Sequence, residues 1–224
     1  QSQNGNQRLS IQKLQQWEKL GYGMFIHFSM NTYDGDEYSK GDKPASYYNP
    51  TKLDVDQWIG VARDAGMKYA VLTTKHVPGF CLWPTKFTDY HVGNSGNRTD
   101  VVEKFVKACE AKAVLPGFYY CSWDNHHLMG SLTPSATRFS EAYTTAAYRE
   151  FQWKQLEELA TNYGKVMEWW IDIPGVLPRD YRNDLYRFLS GKQPDSIVLM
   201  NHGLGDGSSF NIDYAWPTDV ITIE

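Results

Sequence analysis

The 224-residue sequence lacks the features by which several common classes of protein are recognised. It has three cysteines and no Cys-x-x-Cys pair, so neither a zinc site nor a disulfide framework is indicated. No segment approaches the roughly 20 apolar residues that a membrane-spanning helix requires. Acidic residues outnumber basic ones by 26 to 22, and the net charge of −4 argues against a nucleic-acid-binding protein. We therefore expect no metal, cofactor, membrane or nucleic-acid partner.

Aromatic residues, by contrast, are abundant: they make up 15% of the sequence, with 8 tryptophans and 15 tyrosines. Their rings bury large areas in a core, and they also stack on the apolar faces of sugars. The composition therefore fits a carbohydrate-binding cleft and an ordinary core equally well. The chain opens with the polar segment 1–6, without an initiator methionine or a signal peptide. We take this as a processed N-terminus and expect a secreted or periplasmic protein.

Apolar, strand-like runs alternate with amphipathic helix patterns along the chain, which predicts a parallel α/β sheet. The predicted strands are 23–28, 68–75, 115–122, 165–172 and 196–201, with 213–219 as a candidate sixth. Capping patterns at Asp54 and Asp100 predict where two of the helices begin. A doubly wound sheet would more often have a glycine-rich first turn, which is missing here, so an α/β barrel is the better interpretation.

The number of strand–helix units is too small for a closed barrel. Five or six units fit into 224 residues, whereas closure takes eight units and usually about 250 residues. The pattern also stops at Glu224 without a closing helix. We therefore expect residues 1–224 to form one (β/α)8-like, TIM-type barrel domain that is incomplete at its C-terminus.

Asp172 is the first candidate for a catalytic residue. It is the lone carboxylate in the run Trp-Trp-Ile-Asp-Ile at 169–173, where burial without a partner would be costly. The carboxyl ends of barrel strands are where catalytic side chains are presented, which favours a nucleophile. The residues alone are also compatible with an aspartate that caps the following turn.

Other polar side chains follow the predicted strands in the same way, namely His27, His76, Asp124 and Asn201. A single histidine such as His76 is as consistent with a hydrogen-bonded structural role as with a functional one. The pair 126–127 consists of two histidines but lacks a second pair of ligands at metal spacing, so no metal site is indicated.

Hydrolysis of a glycosidic bond is the chemistry that this set of residues favours. The sequence offers carboxylates, histidines and aromatic residues at strand ends, without a phosphate-binding loop, a nucleophilic serine elbow or a Cys–His pair. Glycosidic cleavage needs two carboxyl groups, one ionised and one protonated. Asp172 is the candidate for the ionised group, and Asp219 or Glu224 for the protonated one.

Several motifs together resemble glycoside hydrolase family 29, the α-L-fucosidases, and most closely the branch that acts on α-1,3/1,4-linked fucose. They lie, in the same order as in the family, at 23–28, Glu37, 72–85, 88–90, 118–124, 162–164 and 168–172. The resemblance covers residues 17–224. It implies a (β/α)8-like barrel that is followed by a β-sandwich domain, and we expect no counterpart of that second domain within these 224 residues.

The resemblance also implies roles for individual residues. Asp172 corresponds to the family's nucleophile, which forms a covalent fucosyl-enzyme on a fucosylated oligosaccharide or glycoconjugate and retains the anomeric configuration. The residues expected to bind or surround the sugar are His27, Glu37, His76, Trp83, Tyr120, Trp123 and Asn201, with Tyr120 beside the nucleophile. Asp219, in Pro217-Thr-Asp219, resembles the family's acid/base motif. Glu224 has the family's residue type but lies outside that motif.

The chain departs from the family at three positions. Val77 replaces a polar sugar ligand, Ile173 follows the nucleophile where the family has glycine, and Gly203 stands where the family has arginine. A retuned or non-catalytic carbohydrate-binding barrel is therefore the alternative function. An ordinary α/β domain with structural polar residues is a third interpretation.

Overall fold

A parallel sheet organises the structure. The computed structural model describes residues 7–127, 145–201 and 216–222. Within them, the strands are β1 (Met24–Ile26), β2 (Tyr69–Lys75), β3 (Leu115–Cys121), β4 (Glu168–Asp172) and β5 (Ile197–Asn201). The sheet runs in the order β1-β2-β3-β4-β5, and every neighbouring pair is parallel. The prediction of five neighbouring parallel strands is therefore confirmed.

Helices lie between the strands, as a barrel requires. The described ranges contain α1 (Ile11–Glu18), α2 (Met30–Asp34), α3 (Val55–Asp64), α4 (Val101–Lys112), α5 (Ala146–Asn162) and α6 (Arg179–Lys192). Asp54 accepts the Gln57 N–H at 2.9 Å, and Asp100 accepts the Glu103 N–H at 2.9 Å. These caps satisfy amides that have no partner within the helix, so α3 and α4 begin where the sequence predicts.

The two faces of the sheet have different surroundings, because successive side chains of a strand point to opposite sides. On one face, residues such as Leu72, Phe118 and Trp169 are fully buried in the main core, which the helices complete. On the other face, Val71 and Tyr119 belong to a separate, smaller apolar cluster. This second face corresponds to the interior of a barrel.

The candidate sixth strand at 213–219 does not form within the described residues. Residues 213–215 lie outside the described ranges, and 216–219 have no strand conformation. The backbone N–H of Asp219 instead donates a hydrogen bond to the Val198 carbonyl at 2.9 Å. Across the described ranges, no helix has the length and apolar character needed to cross a membrane.

Candidate active site

Asp172 ends β4 at the carboxyl edge of the sheet. The Tyr119 hydroxyl donates a hydrogen bond to Asp172 Oδ2 at 2.6 Å, and the Asn201 amide donates one to Oδ1 at 2.7 Å. Both donors come from the adjacent strands, since the register pairs Asp172 with Cys121 on one side and with Asn201 on the other. Each carboxylate oxygen is thus held by a neutral donor, while part of the side chain remains exposed.

A cavity of about 410 Å³ adjoins this carboxylate. Its polar lining consists of His27, Glu37, His76, Asp172 and Asn201. These residues come from the ends of four strands and from the segment after α2, and parallel pairing brings them to one edge of the sheet. The structure therefore assembles Asp172 with four of the residues predicted to bind the sugar.

The two histidines of the cavity lie close together. Their ring centroids are 5.5 Å apart, and the His76 ring stacks on Tyr119 at 5.4 Å. Burial, reinforced by the neighbouring His27, lowers the pKa of His76 to about 4, although the Glu37 backbone acts in the opposite direction. His76 is consequently neutral at pH 7, and a neutral imidazole can donate one hydrogen bond and accept another.

The rest of the cavity wall consists of aromatic and aliphatic side chains, namely Phe25, Tyr38, Val77, Tyr119, Trp170 and Ile173. Val77 is fully buried and belongs to the smaller apolar cluster, against which Ile173 packs. Ile173 has φ 48° and ψ 48°, the left-handed conformation that β-branched residues rarely adopt. Such a backbone costs roughly 1–3 kcal/mol unless the surrounding structure compensates for it.

A buried ion pair lies behind the cavity. Lys75, the last residue of β2, places its Nζ 2.6 Å from Asp124 Oδ2, and both side chains are fully buried. His127 adds a contact of 3.0 Å to the same carboxylate. Despite the burial, these partners hold the pKa of Asp124 well below its usual range. Gly79 is required nearby, because a Cβ there would lie 2.3 Å from Asp124 Oδ1.

The loop that contains Asp124 also connects the loops that line the cavity. The Asn125 N–H donates to the Val77 carbonyl at 2.9 Å, directly after His76 in sequence. The Asn125 side-chain amide donates to the Ser39 carbonyl, also at 2.9 Å, close to Glu37. The buried ion pair thus anchors a loop that supports two sides of the cavity.

The structure corrects the prediction that Tyr120 lies beside the nucleophile. Tyr120 is fully buried on the helix side of the sheet, where its hydroxyl donates to Gln155 Oε1 at 2.7 Å. Tyr119 contacts Asp172 instead. The register pairs Tyr120 with Ile171 and Tyr119 with Trp170, so only Tyr119 shares the face of Asp172. The alternation of side chains along β3 is the signal that could have identified it.

The two predicted tryptophans do not line the cavity. Trp83 is 1% exposed, and its indole N–H donates to Glu158 Oε2 on α5 at 3.0 Å, so its placement as a sugar-pocket residue is wrong. Trp123 lies beside the cavity: its ring is 6.3 Å from that of Tyr38, which lines it. The Trp123 indole donates to Asn125 Oδ1 at 2.6 Å.

The structure also contradicts the assignment of Asp219 as the acid/base. One Asp219 oxygen accepts the Val198 N–H at 2.7 Å, and the carboxylate is further bound by Arg8 and Tyr186. Val198 stands near the start of β5. Three strand residues, or about 10 Å, thus separate this position from the edge where Asp172 lies. Glu224 lies outside the described residues, so its assignment stays a prediction.

Within the part of the chain that the structure describes, no cluster of three or more His, Cys, Asp or Glu side chains could hold a metal ion. The cavity is lined by two carboxylates, Glu37 and Asp172, together with two histidines and the Asn201 amide. A parallel sheet that presents such a carboxylate at its carboxyl edge defines a barrel-type α/β protein with an enzyme-like pocket.

Comparison with known proteins identifies the family. A family model described as Alpha-L-fucosidase matches residues 1–216. The chain therefore belongs to the α-L-fucosidase family. The resemblance drawn from the motifs is confirmed at this level, whereas a preference for α-1,3/1,4 linkages stays a prediction.

Individual relatives support this placement. The chain is 37% identical over 202 residues to Alpha-L-fucosidase 1 of Arabidopsis thaliana, covering 87% of this chain and 37% of that protein. A solved glycoside hydrolase 29 family member from a rumen bacterium is 29% identical, with a TM-score of 0.73 over 86% of this chain and 36% of its own.

A third relative is the Bacteroides thetaiotaomicron GH29 α-L-fucosidase structure, described as a trapped covalent intermediate with 2-fluoro-fucosyl fluoride. It is 26% identical, with a TM-score of 0.73, and the match covers 87% of this chain and 50% of that one. The chain thus spans half or less of each of these relatives.

Proposed function

We propose that this chain carries the nucleophile and part of the sugar pocket of a retaining glycoside hydrolase that removes terminal α-L-fucose from oligosaccharides or glycoconjugates. The observation that carries the proposal is the position of Asp172, oriented by Tyr119 and Asn201 at the edge of the cavity. A relative in which a fucosyl-type covalent intermediate has been trapped supports the same chemistry.

In this mechanism an Asp172 oxygen forms a bond to the anomeric carbon of the fucose. The bond from that carbon to the leaving oxygen breaks, and a carboxylic acid donates its proton to the leaving oxygen. A water molecule then attacks the same carbon, loses its proton to the carboxylate that the first step produced, and releases Asp172. Two displacements restore the original anomeric configuration.

The side chains that surround Asp172 suit the recognition of a hydroxylated ring. Neutral His76 offers a donor and an acceptor to sugar hydroxyls, and His27 and Glu37 extend this polar wall. The retaining reaction needs a second carboxyl group about 5–5.5 Å from the first, to act as the proton donor. Glu224 is our candidate, because it has the residue type of the family's acid/base and the other candidate, Asp219, is held near the start of β5.

The test uses the full-length protein that contains this chain, assayed with 4-nitrophenyl α-L-fucoside and with the corresponding galactosides. We expect turnover of the fucoside, and Asp172→Asn should lower kcat by about 10³-fold because the attacking charge is lost. After incubation with 2-fluoro-fucosyl fluoride, mass spectrometry should find the label on the peptide that contains Asp172. Asp184→Asn, at an exposed position of α6, is the matched control.

The alternative is a barrel that binds sugar without turning it over. Val77 and Ile173 favour it, because they give the cavity an apolar wall without hydrogen-bonding groups. Saturable binding of L-fucose by calorimetry, without hydrolysis or covalent labelling, would establish the alternative and refute the proposed activity.

A further inference from the structure

Ile173 adopts a backbone conformation that its side chain disfavours. Its φ of 48° lies in the left-handed region, where a branched Cβ meets the backbone. Within the described ranges, Ala113, with φ 55°, is the other non-glycine residue with positive φ. A glycine would adopt the same conformation without this steric cost. Isoleucine is therefore sterically disfavoured in the backbone conformation found at this position.

The location of Ile173 indicates what the side chain does there. It follows Asp172 directly, and its N–H donates to the Asn201 carbonyl at 3.0 Å, which keeps the turn close to the edge of the sheet. Its side chain lines the cavity, as Val77 does, and packs against the smaller apolar cluster to which Val77 belongs. Strained residues of this kind cluster at active sites and ligand clamps.

The positive φ of Ala113 is explained by its position at the end of a helix, an explanation that does not apply to Ile173. Ala113 follows the last residue of α4, and its N–H bonds back to the helix carbonyls of Cys109 and Glu110. A left-handed residue is the common way to end a helix. Ala113 also lines no part of the cavity. The same backbone strain thus occurs once at a helix end and once in the cavity wall.

We propose that Ile173 is a specificity-determining residue, which selects a glycoside with an apolar surface beside the reacting carbon. The inference rests on the proposed function and deepens it. A substrate hydroxyl placed against Ile173 and Val77 would lose water without gaining a hydrogen-bond partner, and is disfavoured for that reason. The apolar surface belongs either to the sugar in the pocket or to the group that it is attached to.

The test compares Ile173→Ala, Ile173→Gly and Ile173→Val in the full-length protein. The alanine and glycine variants both lose the side-chain contacts, but only glycine releases the backbone strain. We therefore expect the glycine variant to melt at a higher temperature than the alanine variant. Both should lower kcat/KM for 4-nitrophenyl α-L-fucoside by at least about tenfold, mainly through KM, since missing methylenes in an apolar pocket have effects of this size. Valine should stay close to the wild type.

Ala113→Gly is the matched control, because it releases the same kind of strain away from the cavity. We expect it to leave KM unchanged. If both Ile173→Ala and Ile173→Gly keep the wild-type KM and the wild-type affinity for L-fucose, the inference is overturned. It is also overturned if the glycine variant melts below the alanine variant.

Calorimetric titration with L-fucose distinguishes the two sources of the apolar surface. A loss of L-fucose affinity in the alanine variant assigns the contact to the sugar, and a raised KM with unchanged L-fucose affinity assigns it to the aglycone. This binding measurement needs no turnover. A wild-type protein that binds L-fucose but hydrolyses no fucoside refutes the proposed activity, and the loss of that binding in the alanine variant would still support the role of Ile173.

Discussion

Asp172 ends β4 and Asp124 follows the neighbouring strand β3, yet the two carboxylates have different surroundings. Asp124 is fully buried against the ammonium group of Lys75, with His127 on the same carboxylate. Asp172 is partly exposed beside a cavity, and its oxygens accept hydrogen bonds from the neutral groups of Tyr119 and Asn201.

The comparison shows what separates a structural carboxylate from a reactive one. A buried ion pair is costly to break, and it leaves no open side from which a substrate could reach the carboxylate. Hydrogen bonds from Tyr119 and Asn201 orient the Asp172 carboxylate at the border of the cavity. Position at the end of a strand is therefore not sufficient to identify a nucleophile; access from the cavity is also needed.

The largest effect that we expect from this comparison concerns stability. Asp124→Asn leaves the Lys75 ammonium buried without a counter-charge, and should lower the free energy of unfolding by about 3–5 kcal/mol. Asp172→Asn keeps its hydrogen-bonding shape beside an open cavity, and should change stability by less than about 1 kcal/mol. Urea denaturation of the full-length protein measures both. Equal losses in the two variants would contradict the distinction.

His76 lies between the buried ion pair and the cavity. It follows Lys75 in sequence, and it lines the cavity with Asp172. Its pKa is about 4 in the folded protein and about 6.5 when unfolded. As the pH falls, the unfolded chain takes up this proton first. The contribution of His76 to stability is therefore constant above pH 6.5 and decreases between pH 6.5 and 4.

The corresponding prediction is that His76→Gln flattens this part of the pH profile. Between pH 7.5 and pH 4.5, the free energy of unfolding should fall by on the order of 2 kcal/mol more in the wild type than in the variant. Melting temperatures at one-unit intervals of pH provide the measurement, with the two proteins compared at pH 7.5 as the reference. Parallel profiles would show that His76 does not stay neutral in the fold.

The smallest effects concern the two tyrosines of β3. One lies beside the cavity and the other beside the buried ion pair. Tyr119 binds Asp172, whereas the ring of Tyr120 lies 4.4 Å from Lys75 Nζ. Tyr119→Phe removes a hydrogen bond to a charged group, and kcat/KM for an aryl fucoside should fall by about tenfold. Tyr120→Phe should lower stability by about 1 kcal/mol and leave kcat/KM unchanged. The reverse pattern would restore the sequence-based assignment of Tyr120.

Much of the fold could be predicted from the order of residues alone. The alternation of apolar runs and amphipathic patterns predicted the five strands, and the aspartates at 54 and 100 predicted the start of two helices. Both signals are local, because a cap or a strand pattern is formed by residues only a few positions apart. The motifs that carry the family resemblance likewise lie in short segments.

The candidate site could be predicted only in part. His27, His76, Asp172 and Asn201 share the cavity because parallel strands bring their carboxyl ends to one edge, whereas Glu37 reaches it from the segment after α2. That rule needs only the strand assignment and the direction of the strands. It is enough to predict that the side chains at the strand ends lie close together.

The errors arose where a residue's surroundings depend on distant parts of the chain. Trp83 looked like a pocket residue, but Glu158 on α5 binds its indole. Asp219 lies in a segment that resembles the family's acid/base motif, but Arg8, Tyr186 and the Val198 N–H hold it near the start of β5. These partners are distant in sequence from Trp83 and Asp219. No local sequence pattern could therefore have excluded the two assignments.

The sequence by itself determined which segments form strands and helices, since hydrophobic periodicity and capping depend on near neighbours along the chain. Only the tertiary structure decided which of Tyr119 and Tyr120 faces Asp172, because a shift of one residue in register moves every side chain of a strand to the opposite face. It also decided that Asp124 is neutralised by Lys75 while Asp172 borders a cavity. Pairing and access are properties of the packed sheet, and they appear only when strands far apart in sequence lie side by side.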